Sequence, residues 1–304
     1  MNKILVLDFG SQYTQLIGRK VRELGVYSEI FPFDTPISRI KKENPQAVIL
    51  SGGPRSVYEK GAPLASDTIF HLGIPVLGIC YGVQLMAHLL GGKVVPSFHR
   101  EYGFAHLDIL DRGGLLKGIR DRGQVWMSHG DLVEKPPPQF AVTGRTANTK
   151  VAVIESPAKR LFGVQFHPEV IHTRQGKAVL ANFLFSLAGL KPDWSIKSFI
   201  ERKVSEIRRS VGSGKVISGL SGGVDSLVTS LLVHRAIGKN LTCVFVDNGL
   251  LRKGQYEGLM EEFRRKLHLK VIGVDASELF LRRLRGVISP ERKRKIIEIG
   301  RAHV

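Results

Sequence analysis

Cys80 stands between glycines in Gly78-Ile79-Cys80-Tyr81-Gly82, where an apolar strand-like run, Pro75 to Ile79, passes into a helical pattern. A sharp strand-to-helix turn of this kind exposes its central side chain and tolerates only small flanking residues. The pentapeptide thus has the form of a nucleophile elbow with Cys in place of Ser. A thiol at a helix N-terminus has its thiolate favoured by the helix field, and a nearby His can take its proton. Cys243 is the contrast, because it lies within Leu241-Thr242-Cys243-Val244-Phe245-Val246, an apolar strand in which a free Cys is ordinarily inert filling. The candidate base is His167 in Gln165-Phe166-His167-Pro168-Glu169, where Glu169 follows across a rigid Pro and can orient the imidazole. A satisfied structural His and a metal pair are the alternatives. Metal is disfavoured because no second His/Cys cluster at ligand spacing accompanies His167.

Acyl transfer at a thiol also needs donors for an oxyanion. Ser51-Gly52-Gly53-Pro54, just after the strand-like run Ala47 to Leu50, offers free backbone amides at a strand's carboxyl end. A second loop, Ser221-Gly222-Gly223-Val224-Asp225-Ser226, lies between a strand-like run, Lys215 to Leu220, and a helical run starting at Val224. Its glycines let the main chain approach an anion, the helix end adds partial positive charge, and the Ser hydroxyls add donors, so the loop reads as a phosphate cradle. It is not a Walker loop: Gly214-Lys215-Val216 lacks the following Ser or Thr, and Arg209 stands where the opening Gly would be. For Asp225 the plain alternative is a first-turn carboxylate serving the helix dipole.

SGGP, GICYG and QFHPE, in this order, resemble the class I glutamine amidotransferases, over roughly residues 1 to 188. The resemblance implies that Cys80, His167 and Glu169 form a triad, that the amides of Gly53 and Tyr81 build the oxyanion hole, and that glutamine is split to glutamate and ammonia. It further implies that Gln84 and Ser128-His129-Gly130-Asp131 hold the substrate, with Asp131 facing its α-amino group. Outside the family, His129 would be a plain loop histidine. SGGVDS resembles the loop of the N-type ATP pyrophosphatases, which grips the part of ATP that leaves as pyrophosphate.

An amidotransferase followed directly by that loop resembles the glutamine-hydrolysing GMP synthase family. The likeness also rests on Glu169-Val170-Ile171-His172-Thr173, Phe245-Val246-Asp247-Asn248-Gly249-Leu250-Leu251-Arg252 and Pro290-Glu291-Arg292-Lys293-Arg294-Lys295-Ile296-Ile297. The resemblance implies glutamine, ATP and XMP as substrates: ATP adenylates the C2 oxygen of XMP, pyrophosphate leaves, and ammonia displaces AMP to give GMP. It implies Mg²⁺ held by Asp225 against the pyrophosphate oxygens, and a homodimer for full-length members. Members continue past residue 304 into the rest of the ATP domain and an XMP-binding domain. The expectation is therefore a C-terminally truncated chain, incomplete for synthesis, whose last six residues, Ile299 to Val304, leave the family pattern and read like translated sequencing adapter.

The elements that must position these residues follow from periodicity. Lys3 to Leu7, Val26 to Phe31, Ala47 to Leu50 and Pro75 to Ile79 read as strands, with a helix at Gln12 to Leu24. Phe104 to Leu110 alternates as a strand, Val151 to Ile154 pairs with Leu161 to Val164, and Gly176 to Leu187 is a helix. Gly189 to Ser195 reads as a linker, since Gly ends one helix, Pro192 blocks continuation and Ser195 can cap the next. Beyond it alternate helix Ile196 to Arg209, strand Val216 to Leu220, helix Val224 to Ile237, strand Leu241 to Val246, helix Tyr256 to Leu267 and strand Lys270 to Val274. The fold class is α/β with two doubly wound, mostly parallel Rossmann-like sheets: a flavodoxin-like glutaminase over residues 1–190, then an incomplete ATP pyrophosphatase domain over 191–304.

A length of 304 residues suits about two domains. No apolar stretch approaches the roughly 18 residues that span a bilayer, and no leader precedes the first strand, so a cytoplasmic protein with no membrane partner is expected. Two cysteines cannot build a disulfide framework. Residues 1–190 hold 22 Lys+Arg against 15 Asp+Glu, and residues 191–304 hold 23 against 12, a bias that suits polyanions. It also suits a solvated helix face, because Arg264-Arg265-Lys266 and Arg292 to Lys295 fall in helical patterns. A competing reading is a nucleic-acid-binding or tRNA-modifying protein with the same ATP loop. No aromatic-interleaved basic strand or CxxC supports that reading, so no nucleic acid is expected. An inactive, binding-only amidotransferase is opposed by the intact Cys80, His167 and Glu169.

Overall fold

Ile4, Leu5, Val6 and Leu7 are all fully buried, as four consecutive apolar residues must be when both faces of a strand are covered. This computed structural model describes residues 2–301, except for the side chains of residues 98–100 and 299–301. The expected non-native tail, residues 299–304, thus lies outside the described side chains. The chain divides into two units, Met1–Ser195 and Ile196–Val304.

In the first unit, β1 (Lys3–Asp8), β2 (Tyr27–Pro32), β3 (Ala47–Leu50) and β4 (Val76–Ile79) alternate with helices α1 (Thr14–Glu23), α2 (Ile37–Glu43) and α3 (Tyr81–Leu89). There follow β5 (Lys93–Ile109), β6 (Gly123–Lys135), β7 (Ala141–Arg145), β8 (Val153–Ser156), β9 (Leu161–Val164) and α4 (Gly176–Ala181), the last continuing as a π-helical turn, Asn182–Leu187. One nine-stranded sheet runs β2-β1-β3-β4-β9-β8-β7-β5-β6. The five strands from β2 to β9 are parallel. The rest form an antiparallel extension.

Because side chains alternate along a strand, β1 feeds two cores. Ile4 and Val6 pack with Ile17, Val21 and Phe183 on one side. Leu5 and Leu7 pack with Ile40, Leu50, Tyr81 and Met86 on the other. The carboxyl ends of the parallel strands are therefore held rigidly from both faces.

Strand β6 departs from the sequence reading. Ser128-His129-Gly130-Asp131 lies within it, and His129 is a buried strand residue rather than a loop histidine. Its polar residues break the alternation that would mark a strand, but pairing with β5 supplies the hydrogen bonds. β5 itself starts well before Phe104.

The second unit comprises α5 (Ile196–Val211), β10 (Val216–Leu220), α6 (Val224–Ile237), β11 (Leu241–Asp247), α7 (Gln255–Glu261), β12 (Val271–Asp275), α8 (Ser277–Leu284) and α9 (Pro290–Arg301). Its three strands form a parallel sheet in the order β10-β11-β12. Leu220, Cys243, Phe245, Met260 and Phe263 make its core, while Ile217 and Ile272 are exposed. Among the described residues no helix is long and apolar enough to cross a membrane.

Candidate active site

Cys80 joins β4 to α3 with φ 52° and ψ −105°, a left-handed backbone that a non-glycine residue adopts only where its surroundings enforce it. Its N–H donates to the Val164 carbonyl of β9 at 2.8 Å. The flanking glycines are steric requirements. A Cβ on Gly78 would lie 2.6 Å from the Gly82 carbonyl oxygen, and one on Gly82 would lie 2.5 Å from that of Leu50. The turn thus has the elbow geometry expected from its sequence.

His167 follows β9 and is fixed at its backbone, with its N–H donating to the Trp126 carbonyl at 3.0 Å and its own carbonyl accepting from the Thr173 hydroxyl at 2.6 Å. Its Nδ1 lies 2.7 Å from Glu169 Oε1, and both side chains are buried. The second Glu169 oxygen is buried without a hydrogen-bond partner, so the carboxylate is committed to the ring. Burial alone would lower the His167 pKa. The charge and hydrogen bond of the Cys80 thiolate, followed by those of Glu169, outweigh it and hold the imidazolium well above its ordinary range. The Tyr13 ring meets the imidazole edge-on at 5.1 Å.

Cys80 lies where two clefts meet. One, of ≈ 430 Å³, is lined by Ser11, Tyr13, Gly53, Ser128 and His167. The other, of ≈ 570 Å³, is lined by Gly53, Tyr58, Gln84, Ser128, His129 and Asp131. The fold therefore gathers the sequence-designated residues of the first unit around one sulfur. Gly53 borders both clefts, and a Cβ there would meet the Phe9 carbonyl oxygen at 2.9 Å and the Tyr81 ring at 3.1 Å. Tyr81 opens α3 directly after Cys80, while its hydroxyl donates to the Pro63 carbonyl and is pushed up to about 12 by burial. The thiol is 3.5 Å from the Ser128 carbonyl.

Gln84 uses its amide nitrogen on the Asp131 carbonyl at 2.8 Å, so it braces the 128–131 segment. Three further residues, to which the sequence assigned no role, join the site. Tyr58 donates to Asp131 Oδ1 at 2.8 Å, Gln165 Nε2 is 3.8 Å from the Cys80 sulfur, and Glu101 lies 3.4 Å from His129 Nε2. Tyr58 follows SGGP by four residues and Gln165 opens QFHPE, but neither position has a spacing that implies chemistry.

In the second unit, Ser221 to Asp225 is exposed, with Gly222 at φ 77° and Gly223 capping α6. The serine hydroxyls brace the loop rather than stand free. Ser226 Oγ accepts from the Ser221 N–H at 3.1 Å and lies 2.9 Å from Ser221 Oγ, which accepts from the Gly223 N–H at 3.3 Å. The amides that open α6 have no intrahelical acceptor and are the donors left for an anion. Cys243 is buried, and that burial pushes its thiol up, partly offset by Ser230. Among the described residues no group of three or more His, Cys, Asp or Glu could hold a metal.

Comparison with known proteins follows this division. The profile of the family described as glutamine amidotransferase class-I matches residues 5–187, and that described as NAD synthase matches residues 194–261. A curated protein named GMP synthase [glutamine-hydrolyzing], from Carboxydothermus hydrogenoformans, is 52% identical over 296 residues, 97% of this chain and 58% of its own length. One of the same name from Neisseria gonorrhoeae is 54% identical over 301 residues, 97% of this chain and 57% of its own. The chain thus spans little more than half the length of these relatives. A crystal structure from Thermoplasma acidophilum, of a protein described as a candidate GMP synthase subunit, shares 31% identity. It aligns with a TM-score of 0.58 over 62% of this chain and 94% of that one.

Proposed function

The chain belongs to the class I glutamine amidotransferase family, and we propose that its first unit hydrolyses glutamine to glutamate and ammonia. The observation that carries the reading is the strained Cys80 elbow beside a His167 that is hydrogen-bonded to a buried Glu169. Cys80 Sγ attacks the glutamine δ-carbon as the thiolate whose proton His167 already holds, with the developing oxyanion met by the amides of Gly53 and Tyr81. The proton passes from His167 to the departing nitrogen, and ammonia leaves a glutamyl thioester. A water that gives its proton to His167 then attacks the thioester, and glutamate is released. Glu169 holds the ring and stabilises the imidazolium. Gln84, Ser128, His129 and Asp131 hold the substrate, Asp131 taking its α-ammonium.

For the whole protein the reading extends to amination of XMP to GMP, following the names of the relatives. In it, the Ser221–Ser226 loop grips the phosphates of ATP that leave as pyrophosphate, the C2 oxygen of XMP is adenylated, and ammonia displaces AMP. The exposed glycines and free α6 amides fit an anion. Asp225 is an isolated carboxylate, so it fits Mg²⁺ brought with phosphate oxygens rather than a self-sufficient metal site. Mg²⁺, when bound there, would neutralise pyrophosphate charge. A cytoplasmic homodimer belongs to the same reading.

A diazoketone analogue of glutamine tests the first step. Peptide mapping should find it on Cys80 and not on Cys243. Equal labelling of both cysteines, or none of Cys80 in folded protein, would overturn the assignment.

A further inference from the structure

Glu101 lies in β5 directly opposite His129 in β6, just after the register between the two strands shifts. It is 9% exposed and His129 is 5% exposed. A buried carboxylate has to be held by donors. This one accepts from the hydroxyls of Thr149 at 2.6 Å and Thr146 at 3.2 Å, and from Asn148 Nδ2 at 3.4 Å. Burial would raise its pKa, but the His129 ring and the threonine hydroxyls hold it below the ordinary carboxylate range. Glu101 is therefore an anion, clamped by the 146–149 turn and aimed at His129.

Its Oε2 is 3.4 Å from His129 Nε2, off the hydrogen-bond direction. Both ring nitrogens of His129 are buried without a hydrogen-bond partner, in a side chain that lines the cleft with Gln84 and Asp131. His129 thus stands in the cleft wall with two nitrogens that no residue of the chain satisfies, and such groups call for a partner.

We propose that Glu101 is a positioning residue for glutamine, acting through His129. The inference rests on the glutaminase reading of this cleft. An anion facing Nε2 keeps the proton on that nitrogen, which leaves Nδ1 as a lone-pair acceptor. When glutamine fills the cleft and uncovers the ring, Nδ1 joins the Asp131 carboxylate as a second acceptor for its α-ammonium. Without the Glu101 charge the ring is free to take the other tautomer, whose Nδ1–H opposes a cation. The loss falls on binding, since neither group touches the carboxamide that reacts.

The test uses the full chain with Glu101→Gln, which keeps an acceptor for the threonines and removes the charge. The half-saturating concentration of the diazoketone analogue for Cys80 labelling, and the KM for glutamine, should rise about tenfold or more, the loss expected for one charge-assisted contact. The maximal labelling rate, and alkylation of Cys80 by iodoacetamide, which has no α-ammonium, should stay within about threefold of the parent. Glu101→Asp should restore part of the affinity. Thr149→Val, which frees the carboxylate from its shortest hydrogen bond, should show a smaller rise and serves if Glu101→Gln does not fold.

Half-saturation within about twofold of the parent in these variants would overturn the inference and leave the glutaminase reading standing. So would an equal slowing by both reagents, which would mean general loosening. A parent protein that the analogue does not label at all would remove the glutaminase reading and this inference with it.

Discussion

Gly82, in the first turn of α3, rests directly on the main chain of Leu50 at the end of β3, where an added Cβ would lie 2.5 Å from the Leu50 carbonyl oxygen. This contact brings the elbow against the strand that leads into Ser51–Gly53, so it fixes the elbow relative to that loop. Backbone on both sides leaves no flexible atom to give way. Gly82→Ala should destabilise the first unit by about 2–3 kcal/mol, the upper part of the range for overpacking. Urea or thermal unfolding measures it, and an unchanged midpoint would show that α3 can ride outward without cost.

The raised pKa of His167 has a defined consequence for stability. A folded-state pKa above the unfolded value of about 6.5 contributes stability that is fully present below that value and is lost as pH rises through the folded pKa. Among the influences that raise it, the Cys80 thiolate stands first. Cys80→Ala should therefore lower the His167 pKa markedly, because burial then acts against Glu169 alone. It should also flatten the stability profile above neutral pH. NMR titration of the His167 ring in both proteins decides the matter. An unaltered pKa in Cys80→Ala would mean that Glu169, not the thiolate, holds the charge.

The geometry of the candidate site in the first unit is legible in the sequence because its constraints are local. Gly78, Gly82 and Gly53 occupy points where a Cβ meets backbone or packed ring atoms, and such points show as glycines at fixed offsets from Cys80 or from a strand end. The parallel strands were legible for a similar reason, since strands buried on both faces read as unbroken apolar runs. Glu101 and Tyr58 were not legible. Each reaches its partner, His129 or Asp131, only through strand pairing or loop closure across the sheet, and no sequence spacing records that approach. β6 was missed because the residues that line the cleft interrupt its alternation.

The two partners of Cys80 should differ in kinetic weight. His167→Ala removes the base and should slow labelling by the diazoketone analogue by about 10²–10⁴-fold. Glu169→Gln keeps a hydrogen-bond acceptor for Nδ1 and weakens only orientation and charge support, so its loss should be smaller. Stopped-time labelling with mass detection gives both rates under identical conditions. A larger effect at Glu169 than at His167 would contradict the assigned roles.

In the second unit, Gly223→Val separates anion approach from folding. Gly223 has φ −91° and ψ 161°, a backbone any residue adopts, and a Cβ there meets only the Ser221 hydroxyl, at 3.3 Å. The fold should tolerate the valine, whereas Gly222, at φ 77°, would be strained by any side chain. An isopropyl group at the mouth of the loop nevertheless blocks close approach of an anion to the α6 amides. Calorimetry with pyrophosphate and with Mg²⁺-ATP should therefore show binding weakened about tenfold or more in Gly223→Val at near-parental stability. Asp225→Ala should lose affinity only when Mg²⁺ is present, because its carboxylate serves the metal and repels the bare anion. Equal binding of pyrophosphate and Mg²⁺-ATP by both variants and the parent would remove this loop from the nucleotide site.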